Sequence, residues 1–139
     1  MFDKILIAND GSNGAARALS KAIGLARQTG ADLHMICVEE MPRFPTSVDE
    51  VVEEQIDQGH RYEPVIARAI AQAQAEGVII RPHVLPGHAV PTICEFVERE
   101  RIDLLVVGYM GHSALYNRLI GGTTDRLVEH TVCSVLVVK

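Results

Sequence analysis

The chain has 139 residues, 47% hydrophobic and 22% charged, an ordinary composition for one soluble domain. Its net charge of −5, the absence of Trp and the lack of any Lys/Arg cluster argue against a nucleic-acid partner, and no apolar run approaches the roughly 18 residues that a membrane helix needs. The three cysteines, Cys37, Cys94 and Cys133, are odd in number and far apart, which excludes a disulfide framework and leaves three reduced, mostly buried thiols as the expectation.

The N-terminus, Met1 to Lys4, runs directly into a strand-like segment without the features of a signal peptide, so a cytoplasmic location is expected. Short apolar runs at 4–8, 32–38, 78–85, 103–107 and 134–138 predict strands. Several are nearly continuous, as in Leu104-Leu105-Val106-Val107 and Val135-Leu136-Val137-Val138, which predicts strands covered on both faces of a parallel sheet. Between them lie helical patterns. The first, 13–29, places Ala15, Leu19, Ala22, Ile23 and Ala26 on one face and stops at Gly30. The second, 48–76, carries Gln58-Gly59-His60 and Pro64, which predict a break or kink. A third, 89–101, groups Ile93, Phe96 and Val97, and a short fourth spans 124–130. Residues 40–47, with Pro42 and Pro45, read as a surface loop. The alternation βαβαβαβαβ predicts a single α/β domain with an open parallel five-stranded sheet and helices on both faces.

Ligands of such sheets bind outside the carboxyl ends of the strands, at the switch point where successive connections leave in opposite directions. In a sheet ordered 3-2-1-4-5 that point lies between the first and fourth strands. The loop after the first strand is Asn9-Asp10-Gly11-Ser12. Asp10 there has a carboxylate able to accept hydrogen bonds from a ribose, a base or a metal-bound water. The plainer alternative is a turn with Ser12 or Asn13 as helix cap. The loop after the fourth strand holds Gly108, Gly111, Gly121 and Gly122, followed by Thr123 and Thr124. Glycines permit close backbone approach to a ligand, and the helix that opens at Gly121-Gly122-Thr123-Thr124 offers unpaired N–H groups and hydroxyls to phosphate. An ordinary loop with a Thr cap is the alternative. Neither the P-loop pattern nor G-x-G-x-x-G after a strand is present.

Other chemistries fit less well. Gly111-His112-Ser113-Ala114-Leu115 is a partial nucleophile elbow, but Leu115 stands at its last glycine, and Asp125 and His130 are five apart on one helix. A phosphorelay receiver lacks its acceptor Asp after strand three, where Leu85-Pro86-Gly87 stands. His130 and Cys133 alone are too few ligands for a metal site.

The spacing Gly108, two residues, Gly111, nine residues, Gly121 resembles the ATP-binding signature of universal stress proteins. The opening Lys4 to Ser12, the stretch Ile102 to Gly108 and the ending Val132 to Val138 resemble the family's first, fourth and last strands, so the likeness spans essentially the whole chain. It implies a Rossmann-like sheet of order 3-2-1-4-5. It also implies adenine and ribose held near Ala8, Asn9, Asp10 and Val38, and phosphates near Gly111, Gly121, Gly122, Thr123 and Thr124. Gly108, Met110 and His112 complete the implied nucleotide-binding set. Two positions depart from the pattern: Ala8 stands at a commoner Pro, and Gly122 stands where ATP-binding members usually carry Ser or Thr. One lost hydroxyl–phosphate bond costs on the order of 1–3 kcal/mol, roughly ten- to hundredfold in affinity. The expected ligand is ATP, with Mg2+ or Mn2+ held mainly by the triphosphate. The expected activity is a nucleotide-dependent stress-response switch with at most slow hydrolysis. The alternative is a protein-interaction module of the same fold that binds an unidentified protein partner and no nucleotide. The apolar run Val135 to Val138 is expected at the sheet edge, where it invites pairing with a second copy, and the resemblance likewise implies a homodimer through it.

Overall fold

A computed structural model describes residues 1–40, 48–109 and 122–139, with side chains at all of these positions except 48–59. The elements follow the order β1 (Lys4–Ala8), α1 (Asn13–Thr29), β2 (Asp32–Glu40), α2 (Val48–Ala75), β3 (Ile80–Gly87), α3 (Ala89–Arg99), β4 (Leu104–Gly108), α4 (Gly122–His130) and β5 (Ser134–Val138). The five strands form one sheet, β3-β2-β1-β4-β5, and every pairing is parallel. This is the doubly wound α/β architecture and strand order that the sequence led us to expect.

The core has two halves separated by the sheet. On one face Ile5, Ile7, Met35, Cys37 and Val106 meet α1 through Ala18, Leu19, Ala22 and Ile23, and α2 through Tyr62, Val65, Ala69 and Ala73. On the other face Leu6, Ile36, Leu105 and Val107 meet α3 through Val90, Ile93, Phe96 and Val97, and α4 through Leu127. Adjacent strand residues point to opposite faces, so each continuous apolar run feeds both halves at once. Helix α1 starts at Ser12, whose hydroxyl accepts from the Ala15 N–H, and stops at Gly30 in the left-handed conformation (φ 73°). At the amino ends of the strands, opposite the ligand side, the Asp103 carboxylate accepts from the backbone N–H groups of Asp3 and Lys4 and ties β1 to β4.

The structure corrects three expectations. Helix α2 runs through residues 58–60 and through Pro64 without the expected break. Pro64 and His60 are exposed, so the carbonyl deprived of its amide partner lies on the solvent side while Tyr62, Val65 and Ala69 hold the inner face to the sheet. Strand β3 begins at Ile80, not 78, because Gly77 (φ 73°) ends α2 and the Val78 N–H bonds back to Ala73. Its partner β2 runs on to Glu40, paired with Gly87. Lastly, β5 is not covered on both faces: at the sheet edge Ser134 and Leu136 are exposed and only Val138 is buried. The expected loop at 40–47 falls, beyond Glu40, outside the described residues, as do the expected Val51, Val52 and Ile56 side chains of α2. Among the described residues no helix is long and apolar enough to cross a membrane.

Candidate functional site

The connections from β1 and β2 pack on one face of the sheet and those from β3 and β4 on the other, so the switch point falls between β1 and β4. A cleft of about 290 Å3 opens there, beyond the carboxyl ends of β1, β2 and β4. Ala8, Asn9 and Asp10 form its floor on the β1 side, Val38 and Glu40 on the β2 side, and Val107 and Gly108 on the β4 side. Thr123, Thr124 and Leu127 bring α4 to it, Ala89 and Ile93 bring α3, and Arg61 and Tyr62 bring α2.

The β1 loop is built by its own side chains. The Asn9 N–H donates to the Ile36 carbonyl, its side-chain oxygen accepts from the Gly11 N–H at 2.9 Å, and its amide nitrogen donates to Met35 Sδ at 3.4 Å. Asn9 is 6% exposed and its polar atoms are turned into the protein. Asp10 Oδ1 accepts from the Ser12 N–H at 2.9 Å. Two successive Asx turns thus bend the chain, with Gly11 (φ 83°) in the left-handed region, and set Asp10 on the cleft wall. The turn reading of this loop therefore holds, and Asp10, besides serving the turn, lines the cleft.

Gly108 has a reason that the sequence concealed. A Cβ on it would stand 2.7 Å from the Gly14 carbonyl carbon and 2.8 Å from its oxygen. The missing side chain thus admits the first turn of α1. The Gly108 carbonyl accepts from the Thr124 hydroxyl at 2.7 Å, which fastens the start of α4 to the end of β4. Thr124 is 6% exposed and its hydroxyl proton is committed to this bond. Thr123, half-buried, lines the cleft, and its hydroxyl has no such bond among the described residues. Thr124→Val leaves the Gly108 carbonyl without its partner and is expected to cost about 1 kcal/mol of stability, read from denaturant midpoints.

On the opposite side, the buried Tyr62 hydroxyl donates to the Val38 carbonyl at 3.1 Å. Burial, with the carboxylates of Asp10 and Glu40 nearby, holds the phenol above its ordinary pKa, so it remains a donor. The Arg61 guanidinium sits 5.5 Å from the Tyr62 ring centre at the cleft mouth. Glu40 accepts from the Ala89 N–H at 3.1 Å and faces His88 Nδ1 at 3.4 Å, so a carboxylate of the chain itself occupies the start of α3. Two other helix starts meet the cleft, α1 through Ser12 and Ala15 and α4, beginning at Gly122, through Thr123.

Of the residues singled out in the sequence, the fold brings Ala8, Asn9, Asp10, Val38, Gly108, Thr123 and Thr124 to one cleft, with Gly122 at the first position of α4. Met110, Gly111, His112 and Gly121 lie outside the described residues, as does Ser113 of the partial nucleophile elbow. Glu40, Arg61, Tyr62, Ala89 and Ile93 were missed. Tyr62 carried a signal, since it continues the helical row Val65, Ala69 and Ala73; Arg61 carried none. Cys37 is fully buried beneath the cleft, where burial pushes its thiol up to about 12, and burial also raises Cys94 and Cys133. All three are free thiols. His130 faces Glu129 at 3.8 Å on the surface, and among the described residues no three His, Cys, Asp or Glu side chains come together as metal ligands.

The model of the universal stress protein family matches residues 1–139. The universal stress protein MJ0531 of Methanocaldococcus jannaschii is 32% identical over 141 residues, covering all of this chain and 83% of that protein. The structure of universal stress protein UspA from Lactobacillus plantarum is similar with a TM-score of 0.93 at 21% identity, covering 99% and 98% of the two chains. A universal stress protein solved in complex with cAMP is similar with a TM-score of 0.78 at 23% identity, covering 99% and 97%.

Proposed function

The chain belongs to the universal stress protein family, and from that premise we propose that it binds ATP in the switch-point cleft and acts as a nucleotide-dependent switch in a stress response. The observation that carries this is the meeting, in one cleft of about 290 Å3, of a carboxylate at Asp10, a hydroxyl and a helix start at Thr123 and Gly122, and apolar walls at Val38, Ile93 and Leu127. The cleft is at the lower end of the volumes that hold a cofactor. Its residues fit the parts of an adenine nucleotide: apolar surface for the base, an acceptor for the ribose, N–H groups for phosphate. A structural relative in complex with cAMP supports the adenine class. The metal, Mg2+ or Mn2+, is held mainly by the triphosphate, as suits a hard cation that keeps its waters. The role proposed is binding, with hydrolysis slow at most.

The test is thermal unfolding with and without Mg-ATP, with GTP and AMP as controls. A ligand at one hundred times its Kd adds about 2.7 kcal/mol to the folded state. A rise in midpoint with Mg-ATP that GTP does not reproduce supports the proposal; no rise at millimolar Mg-ATP rejects it.

A second reading rests on a different observation, the half-open edge strand β5 with Leu136 37% exposed and Val132 73% exposed beside it. We propose that two copies join through this edge, which would satisfy the free backbone groups of β5. Leu136→Glu puts a charge at an exposed position of the edge strand, Leu136 being 37% exposed, and is expected to yield monomers in gel filtration. An elution volume unchanged from wild type rejects the interface. If nucleotide binding fails and the dimer stands, the chain is an interaction module for another protein.

A further inference from the structure

Away from the cleft, one buried polar pair takes no part in anything described above. His34 of β2 and His83 of β3 lie on the α3 side of the sheet and share a hydrogen bond, Nδ1 to Nε2, of 3.0 Å. Their rings stack with centres 5.2 Å apart. Phe96 of α3 closes over both, 4.8 Å from His83 and 6.3 Å from His34. His34 is 7% exposed and its Nε2 has no hydrogen-bond partner among the described residues, whereas His83 is half-buried. A buried nitrogen without a partner is destabilising, and an apolar pair at these positions would avoid it.

Two facing imidazoles can hold only a few arrangements of protons. With both rings neutral, one donates through its N–H and the other accepts. A first proton settles on Nδ1 of the more exposed His83 and leaves the bond from His83 Nε2–H to His34 Nδ1 intact. A second proton must go to His34 Nδ1, where it meets the His83 N–H head-on across the same gap. The bond is then lost, and two cations lie side by side against a buried aromatic ring. We propose that His34 and His83 form a proton-operated clasp between β2, β3 and α3, closed while the neutral pair has taken up no more than one added proton and opened by uptake of the second.

The surrounding charges do not remove this effect. Lys4 of β1 and Arg81 of β3 oppose a charge on His34 and Asp32 of β2 favours it, with Arg81 and Asp32 themselves 3.6 Å apart. For His83, Glu100 just past α3 favours the charge and Arg99 of α3 opposes it. Burial is the largest influence on both rings and holds both below the ordinary imidazole value. The sign follows: the fold prefers the neutral pair, so the stability it contributes is present above about pH 6.5 and is lost as pH falls below that value through the lowered folded-state values. Helix α3 also carries Ala89 and Ile93 into the cleft wall, so an open clasp loosens that wall.

The test is an NMR titration of the full chain from about pH 8 to about pH 5, following the imidazole C–H and backbone amide signals. We expect His34 and His83 to titrate below 6.5 in two separate steps, with the amides of Ile93 to Val97 shifting in the second. His83→Gln keeps a side chain able to donate to His34 but unable to take a proton. In it the second step and the α3 shift disappear, and the acid-induced fall in unfolding midpoint becomes smaller than in wild type. Two imidazoles that titrate independently near 6.5 in the wild type, or α3 amides that stay still while they titrate, overturn the proposal whether or not the variant folds.

Discussion

Gly108→Val lowers the stability of the domain by about 3 kcal/mol and the unfolding midpoint by roughly 10 °C. The cause is backbone against backbone. Even the first carbon of a side chain would stand 2.7 Å from the Gly14 carbonyl carbon, 2.8 Å from its oxygen and 3.1 Å from the Ala15 nitrogen. No flexible side chain is there to move aside, so the start of α1 must shift. That start is held by the Ser12 cap and by the buried row Ala15, Ala18, Leu19, Ala22 and Ile23, and displacing it disturbs half of the core. The same change pulls at the bond from Thr124 to the Gly108 carbonyl, which sets α4 against the cleft. Unfolding followed by circular dichroism checks the prediction. A variant as stable as wild type would mean that α1 does not approach β4 as closely as the structure shows.

Under the proposed nucleotide function, Asp10→Ala is expected to weaken Mg-ATP binding roughly ten- to hundredfold, the loss of a hydrogen bond to a charged acceptor of about 1.5–3 kcal/mol. Asp10 is the carboxylate that the first loop sets on the cleft wall, and one of its oxygens already accepts from the Ser12 N–H. Its removal therefore has two consequences, a smaller loss of stability from the turn and a larger loss of affinity. Asp10→Asn separates them, because its amide oxygen still serves the Ser12 N–H while the negative charge is gone. Equilibrium binding on both variants, beside their unfolding midpoints, gives the split. Equal affinity in wild type and Asp10→Ala would remove Asp10 from the nucleotide site.

The sheet was legible because its signal is local. Leu104 to Val107 and Ile5 to Ile7 are apolar at consecutive positions, the pattern of a strand buried on both faces of a parallel sheet. The run at Val135 to Val138 looked the same yet lies at the edge, because the number of neighbouring strands is not written in a strand's own residues. The stop at Gly30 was readable from residue type; the continuation through Pro64 was not, since the tolerance depends on which side of the helix faces water. The site followed the same division. Asp10 stands in the loop at the end of β1 and Thr123 in the first turn of α4, both on the carboxyl side of the sheet where topology places ligands. Gly108 was noticed for the right residue and an incomplete reason, because the close approach of α1 comes from sequence almost a hundred residues away. Arg61 and Tyr62 reach the cleft only because α2 crosses β2, with Tyr62 bonded to Val38. The His34–His83 pair depends on the β2–β3 register, which sets Ile36 beside His83, and no local pattern announces it.

The central claim, that the switch-point cleft is a nucleotide site, is tested most directly by calorimetric titration of the purified protein with Mg-ATP. Saturable heat with a Kd in the micromolar range, about −8 kcal/mol, weakened by Asp10→Ala and not reproduced by GTP, is the result that the cleft geometry predicts. No heat up to millimolar Mg-ATP, from protein shown to be folded, would contradict it and leave the edge of β5 as the surface through which this chain acts.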